Sequence, residues 1–161
     1  MTDTVIHDTP DAAALAQATA TAMWSRDRTA HALGMQIAHI ASGTATLRMS
    51  VRQDMLNGHN ICHGGMIFTL ADTAFAYACN SYNHNTVASA CHIDFLAPAR
   101  EGDTLEAHAV EQSLSGRTGV YDITVRHADS QKVIALFRGK SYRIQGAVID
   151  TLQNTEPSSQ A

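Results

Sequence analysis

Charge is nearly missing from the middle of this 161-residue chain: between Asp54 and Asp94 the only formally charged residue is Asp72. Cysteine is sparse as well. Cys62, Cys79 and Cys91 form an odd set, which fits free thiols in a reducing compartment rather than a disulfide frame, and they read as small core residues. Eleven Lys and Arg face 15 Asp and Glu with no basic cluster, which excludes a nucleic-acid footprint. No stretch of about 18 uncharged apolar residues exists to cross a membrane, because Thr69, Asp72 and Thr73 interrupt the best candidate. The N-terminal MTDTVIHDTPDAA lacks the basic start and apolar run of a signal peptide. The expectation is a cytoplasmic protein that binds neither nucleic acid nor membrane.

With 45% apolar and 16% charged residues, the chain has the balance and length of one soluble domain with a real core. Residues 11–32 are Ala-rich and predict a helix, with Asp11 as N-cap after Pro10. GMQIAHIASGTATLRMSV alternates apolar and polar on both sides of Ser42-Gly43, a β-hairpin pattern. Residues 52–63 read as a loop, and 64–80 as a helix that is apolar on nearly every face. Four strands follow in NTVASACHIDFLAPA, GDTLEAHAVEQSLS, TGVYDITVRHA and KVIALFRGKSYRI, as a meander. A helix apolar all round needs enclosure, which a long curved antiparallel sheet can give. The fold class is α+β, a sheet wrapped around a central helix, and its edge strands invite a second copy, so at least a dimer is expected. The divisions are an N-terminal helical segment at 1–32, a main domain at 33–145 and a loose polar tail at 146–161.

Asp72 has only Phe68, Thr69, Phe75 and Ala76 at helical spacing, so no basic partner lies along its helix. An Asp can sit at a solvent edge or pair with a distant cation, but these apolar surroundings favour a desolvated carboxylate with a chemical role. Gly64 and Gly65 open the same helix, where orphan N–H groups and the positive dipole end favour an oxyanion. A tight turn would also use two glycines; the pair gains weight from Asp72 on the same helix. His63 orients the loop that delivers Gly64 or contacts a ligand. The spacing around His59, Cys62 and His63 fits no zinc pattern, and adjacent Cys62 and His63 point apart on an extended segment, so neither a metal site nor a Cys/His pair is expected. RGKS at 138–141 lacks a P-loop's upstream glycine, since Ile134 stands there. Arg138, Lys140 and Arg117 remain candidate phosphate contacts, and a solvated edge explains each equally well.

The block NGHNICHGGMIFTLADTAFAYACNS resembles the hotdog-fold acyl-CoA thioesterases, and among them the phenylacetic acid degradation thioesterases, which act on phenylacetyl-CoA and its hydroxylated relatives. The likeness continues through VASACHIDFLAPAREGDTL, GRTGVYDI and VIALFRGKSYRI and spans about Leu33 to Ile144. It implies a hotdog fold built as dimers paired into tetramers. It implies Asp72 as the catalytic carboxylate and the Gly64 N–H as the donor that polarises the thioester carbonyl. It gives Asn57 a role in positioning substrate or water, and places Thr73 and Ser89 as active-site hydroxyls. SYNHNTV at 81–87 departs from the pattern at the pocket mouth.

Thioester hydrolysis suits these residues. Asp72 would act as nucleophile through a mixed anhydride or as general base toward water; the sequence leaves both open. No cofactor or metal is needed, and coenzyme A enters as part of the substrate. The rivals are a hotdog enoyl-CoA hydratase or dehydratase using His63 or His92, and a non-catalytic acyl-CoA-binding module. Phe68, Phe75 and Tyr77 could line an aryl pocket, though core packing suits most of them.

Overall fold

The computed structural model describes residues 10–150. The Ala-rich segment forms two helices rather than one: α1 (Pro10–Trp24) and α2 (Arg28–Ala32). The break falls at Ser25–Asp27, where Asp27 Oδ1 accepts the Ala30 N–H at 3.0 Å and starts α2 afresh. Asp11 lies in the first turn of α1, which opens at Pro10, so it is not the N-cap. Ala16, Ala20 and Ala30 are buried in the common core, and Asp27 Oδ2 accepts the Tyr77 hydroxyl at 3.2 Å.

β1 (Gln36–Ala41) and β2 (Thr44–Ser50) form the expected hairpin, closed by Gly43 at φ +69°. A side chain there would stand 2.8 Å from the Tyr82 hydroxyl. A short 3-10 turn at Gln53–Met55 and a bridge between Leu56 and Cys62 lead into α3 (Gly64–Asn80). Then come β3 (Thr86–Phe95), β4 (Thr104–Ser115), β5 (Thr118–His127) and β6 (Val133–Arg143). All pairings are antiparallel, in the order β1-β2-β4-β5-β6-β3. The four last strands therefore do not form a simple meander. β2 occupies the flank of β4 from Thr44↔Val110 to Ser50↔Thr104, and β3 crosses to the free flank of β6.

The sheet curves around α3, which packs against all six strands. Leu70, Ala71, Ala74 and Ala78 are fully buried, and these small residues let the helix sit close to the strands. Gly139 completes the fit: a Cβ there would lie 2.8–2.9 Å from three atoms of the Phe75 ring. That ring is 1% exposed and wedged between Tyr121 and Phe137, so it has nowhere to move. Gly139→Ala is expected to destabilise the fold by about 1–3 kcal/mol, read as a lower denaturation midpoint.

Two features leave the core open on one side. α3 is not enclosed all round: Gly65, Phe68, Thr69, Asp72, Thr73 and Ala76 form a partly or fully exposed stripe at helical spacing. β3 is a sheet edge, exposed along most of its length, with Val87 at 46% and Phe95 at 52%. Cys91 lies on that edge and is exposed, unlike buried Cys62 and Cys79, so only two of the three cysteines are core residues. The start of the tail is tethered. Asn83 Nδ2 donates to the Ile149 carbonyl, and the Ile149 N–H donates to Asn83 Oδ1, both at 2.9 Å. The remainder of the tail, and residues 1–9 of the N-terminal segment, lie outside the described residues.

Candidate active site

The N-terminus of α3 is built by His63. Its backbone is extended (φ −60°, ψ 133°), and its Nδ1 accepts the Gly65 N–H at 2.8 Å. That bond fixes the ring as the Nε2–H tautomer when neutral and occupies the Gly65 donor. The next donors are occupied too, since Met66 and Ile67 N–H both reach the His63 carbonyl. Gly64 N–H has no acceptor among the described residues. It is an orphan donor at the positive end of a 17-residue helix.

The two glycines have different steric causes. A Cβ on Gly64 would stand 3.0 Å from Phe95 Cζ, whereas one on Gly65 would stand 3.0 Å from His63 Nδ1. The first makes room for a neighbouring ring and the second for the cap. Neither needs an unusual φ.

Gly64 opens on a groove of about 480 Å³ that it shares with Asn57, Ile67, Phe95, Leu96 and Pro98. Asn57 Oδ1 accepts the N–H groups of His59 at 2.9 Å and Ile61 at 3.4 Å, which folds the loop back on itself and leaves the Nδ2 amide for the groove. The loop is anchored by Cys62 N–H to the Ala99 carbonyl and His63 N–H to the Met55 carbonyl, both 2.8 Å. Cys62 is buried, and burial, with a smaller contribution from Asp103, pushes its thiol up to about 11, so no thiolate nucleophile sits beside His63.

Asp72 stands two turns further along the open stripe. Among the described residues its carboxylate has no hydrogen-bond or ion-pair partner, and burial pushes its pKa above the ordinary carboxylate value. The nearby hydroxyls turn away: Thr69 and Thr73 each donate to the carbonyl four residues back at 2.7 Å. Burial raises the Cys91 thiol and the Asp72 charge raises it further, which places Asp72 toward β3. Gly64 and Asp72 are separated by a helical rise of ~12 Å, so one chain does not bring them to one atom.

The other sequence candidates are scattered. Ser89 sits at a β-bulge and donates to the Lys140 carbonyl at 3.0 Å. Arg138 and Lys140 alternate with buried Phe137 and Ser141, so they point away from α3, and Arg138 is held by Asp122 at 2.6 and 2.7 Å. Arg117 lies in the β4–β5 turn beside a small cleft that it shares with His84 and Arg143. Phe75 and Tyr77 are core residues at 1% exposure, which leaves Phe68 as the partly buried aromatic on the stripe. The polar 81–87 segment is structural in part: Ser81 Oγ accepts the Gly43 N–H, and Asn83 holds Ile149. Phe95 and Leu96, which wall the groove, were missed; an apolar pair directly ahead of Ala97-Pro98 was the available signal. Among the described residues no group of three His, Cys, Asp or Glu side chains is placed to hold a metal ion.

The thioesterase superfamily matches residues 59–134. The chain is 54% identical over 127 residues to the acyl-coenzyme A thioesterase PaaI of Escherichia coli, covering 79% of this chain and 90% of that one. The solved structure of the E. coli PaaI protein from the phenylacetic acid degradation operon superposes with a TM-score of 0.82 over 84% of this chain and 97% of that one, at 52% identity. A phenylacetic acid degradation protein PaaI from Thermus thermophilus matches with a TM-score of 0.70 over 73% of this chain and 100% of that one, at 40% identity. The curved sheet around α3 is thus a hotdog fold.

Proposed function

The chain belongs to the thioesterase superfamily, and on that premise we propose that it hydrolyses aryl-acetyl-CoA thioesters of the phenylacetyl-CoA or hydroxyphenylacetyl-CoA type to the free acid and CoA. The observation that carries the reading is the pair of unused groups on one helix: the Gly64 N–H and the Asp72 carboxylate, neither with a partner among the described residues.

The thioester carbonyl oxygen accepts the Gly64 N–H. Negative charge developing on it is stabilised there by about 3 kcal/mol, the scale of one oxyanion donor. Asp72 then attacks the carbonyl carbon, expelling the CoA thiolate and leaving a mixed anhydride that water opens; alternatively it takes a proton from the attacking water. In both routes the thiolate leaves with the C–S electrons and takes up a proton released by the water. In the first, water splits the anhydride into the free acid and the restored Asp72 carboxylate; in the second, the water oxygen forms the new C–O bond of the acid and Asp72 passes on the proton it took. Asn57 Nδ2 orients substrate or water in the groove. No cofactor takes part beyond the CoA carried in by the substrate. Arg117, next to Arg143 and His84, is the candidate for the CoA phosphates, whereas Arg138 is committed to Asp122.

The ~12 Å between Gly64 and Asp72 supports a site shared by two subunits. Pairing of the β3 edges across a two-fold axis would set the N-terminus of one α3 against the middle of the other, giving two equivalent sites. Two such dimers form the tetramer. The hydratase reading is weaker, because His63 Nδ1 caps the helix and His92 pairs with Asp94 at 3.1 Å on an exposed strand.

A thiol-release screen across aryl-acetyl, benzoyl and straight-chain acyl-CoAs tests the activity, with a higher kcat/KM expected for phenylacetyl-CoA than for palmitoyl-CoA. The reverse order, or binding with no thiol released, contradicts the reading. The screen also carries a pH prediction. Asp72 must be ionised in either role and its pKa is raised by burial. The acid limb of kcat/KM should therefore lie above the range of an ordinary carboxylate and vanish in the little activity left to Asp72→Asn.

A further inference from the structure

Phe68 lies on the open stripe of α3, one turn from Gly64 and one turn from Asp72. Its ring meets Phe137 edge-on, with centroids 5.2 Å and planes 66° apart. Phe137 is 2% exposed and packed in turn on Phe75, so Phe68 is braced from behind while part of it stays open. The other rings of the helix and its floor are taken: Phe75, Tyr77 and Tyr121 are 1% exposed, and the two tyrosine hydroxyls bond to Asp27 and Glu111.

If Gly64 of one helix faces Asp72 of its two-fold mate, the residue midway between them faces its own copy, and that residue is Phe68. It stands a rise of ~6 Å from each end. The paired rings would then separate the two sites, and an acyl group anchored by its carbonyl at Gly64 and running along the helices would end against them.

We propose that Phe68 recognises the aryl ring of the substrate and sets the acyl preference of the site, an assignment that rests on the thioesterase reading and its shared site. A braced phenyl ring offers edge-to-face or offset stacking to another ring and only contact area to an alkyl chain. The effect belongs to a part of the substrate that does not react, so it acts mainly through KM.

The test measures kcat and KM of wild type, Phe68→Leu and Phe68→Ala with phenylacetyl-CoA and hexanoyl-CoA. The ratio of the two kcat/KM values is expected to fall on the order of three- to tenfold in both variants, the scale of one ring–ring contact, with most of the change in KM. A proportional loss on both substrates would mean that Phe68 only braces the helix, and would overturn the assignment. An unchanged ratio would overturn it too. The leucine variant nearly keeps the side-chain volume, so a poorly folded alanine variant does not spare the proposal. Asp72→Asn, assayed in parallel, separates the levels. If it is inactive and the ratio unmoved, only the role of Phe68 falls; if it turns over normally, the site reading falls and takes this assignment with it.

Discussion

Asp72→Asn is expected to lower kcat by about 10³-fold or more, the scale of losing an essential base or nucleophile, while the protein folds normally and substrate binding largely survives. Asparagine matches aspartate in shape but offers neither a nucleophilic oxygen nor a base. No ion pair or hydrogen bond is broken, because among the described residues the carboxylate has none. The sign of the stability effect follows from the raised pKa. A carboxyl group whose folded pKa lies above its unfolded value stabilises the fold in the protonated form, and that contribution is lost as pH rises through the folded pKa. At neutral pH the charge therefore opposes folding, so Tm of the asparagine variant should be unchanged or higher. Thiol release and thermal unfolding on one preparation read both effects. Turnover near the wild-type rate would remove Asp72 from the chemistry.

Local features carried much of the fold and part of the candidate site. The Ser42-Gly43 turn, the apolar helix and the four later strands show in the sequence because turn residues and periodicity are local. Asp72 shows because it is the one charge in a long uncharged stretch. The strand order does not show: the pairing of β3 with β6 spans dozens of residues and depends on β2 having taken the flank of β4. The exposure of Cys91 follows from that order. The meaning of Gly64 was half legible, since its helix-end position is local, whereas the Phe95 ring that fills its Cβ space arrives from the far end of β3. Arg138 looked like a free cation until the β5–β6 register set Asp122 opposite it.

The most direct test of the shared site is subunit complementation. One parent is Asp72→Asn and the other is Gly64→Pro. Proline deletes the N–H donor at the first helical position, where it costs no internal hydrogen bond, and His63 ahead of it is already extended. Its Cβ would press on the half-exposed Phe95 ring, so Gly64→Ala, which keeps the N–H and adds the same Cβ, serves as the control. Each parent alone is expected to be nearly inactive. When separated subunits re-associate at random, about half of the dimers are mixed, and in each mixed dimer one site inherits both defects and the other neither. The mixture is expected to recover about a quarter of wild-type activity. If each site lies within a single chain, every site keeps one defect, and a mixture as inactive as its parents would contradict it.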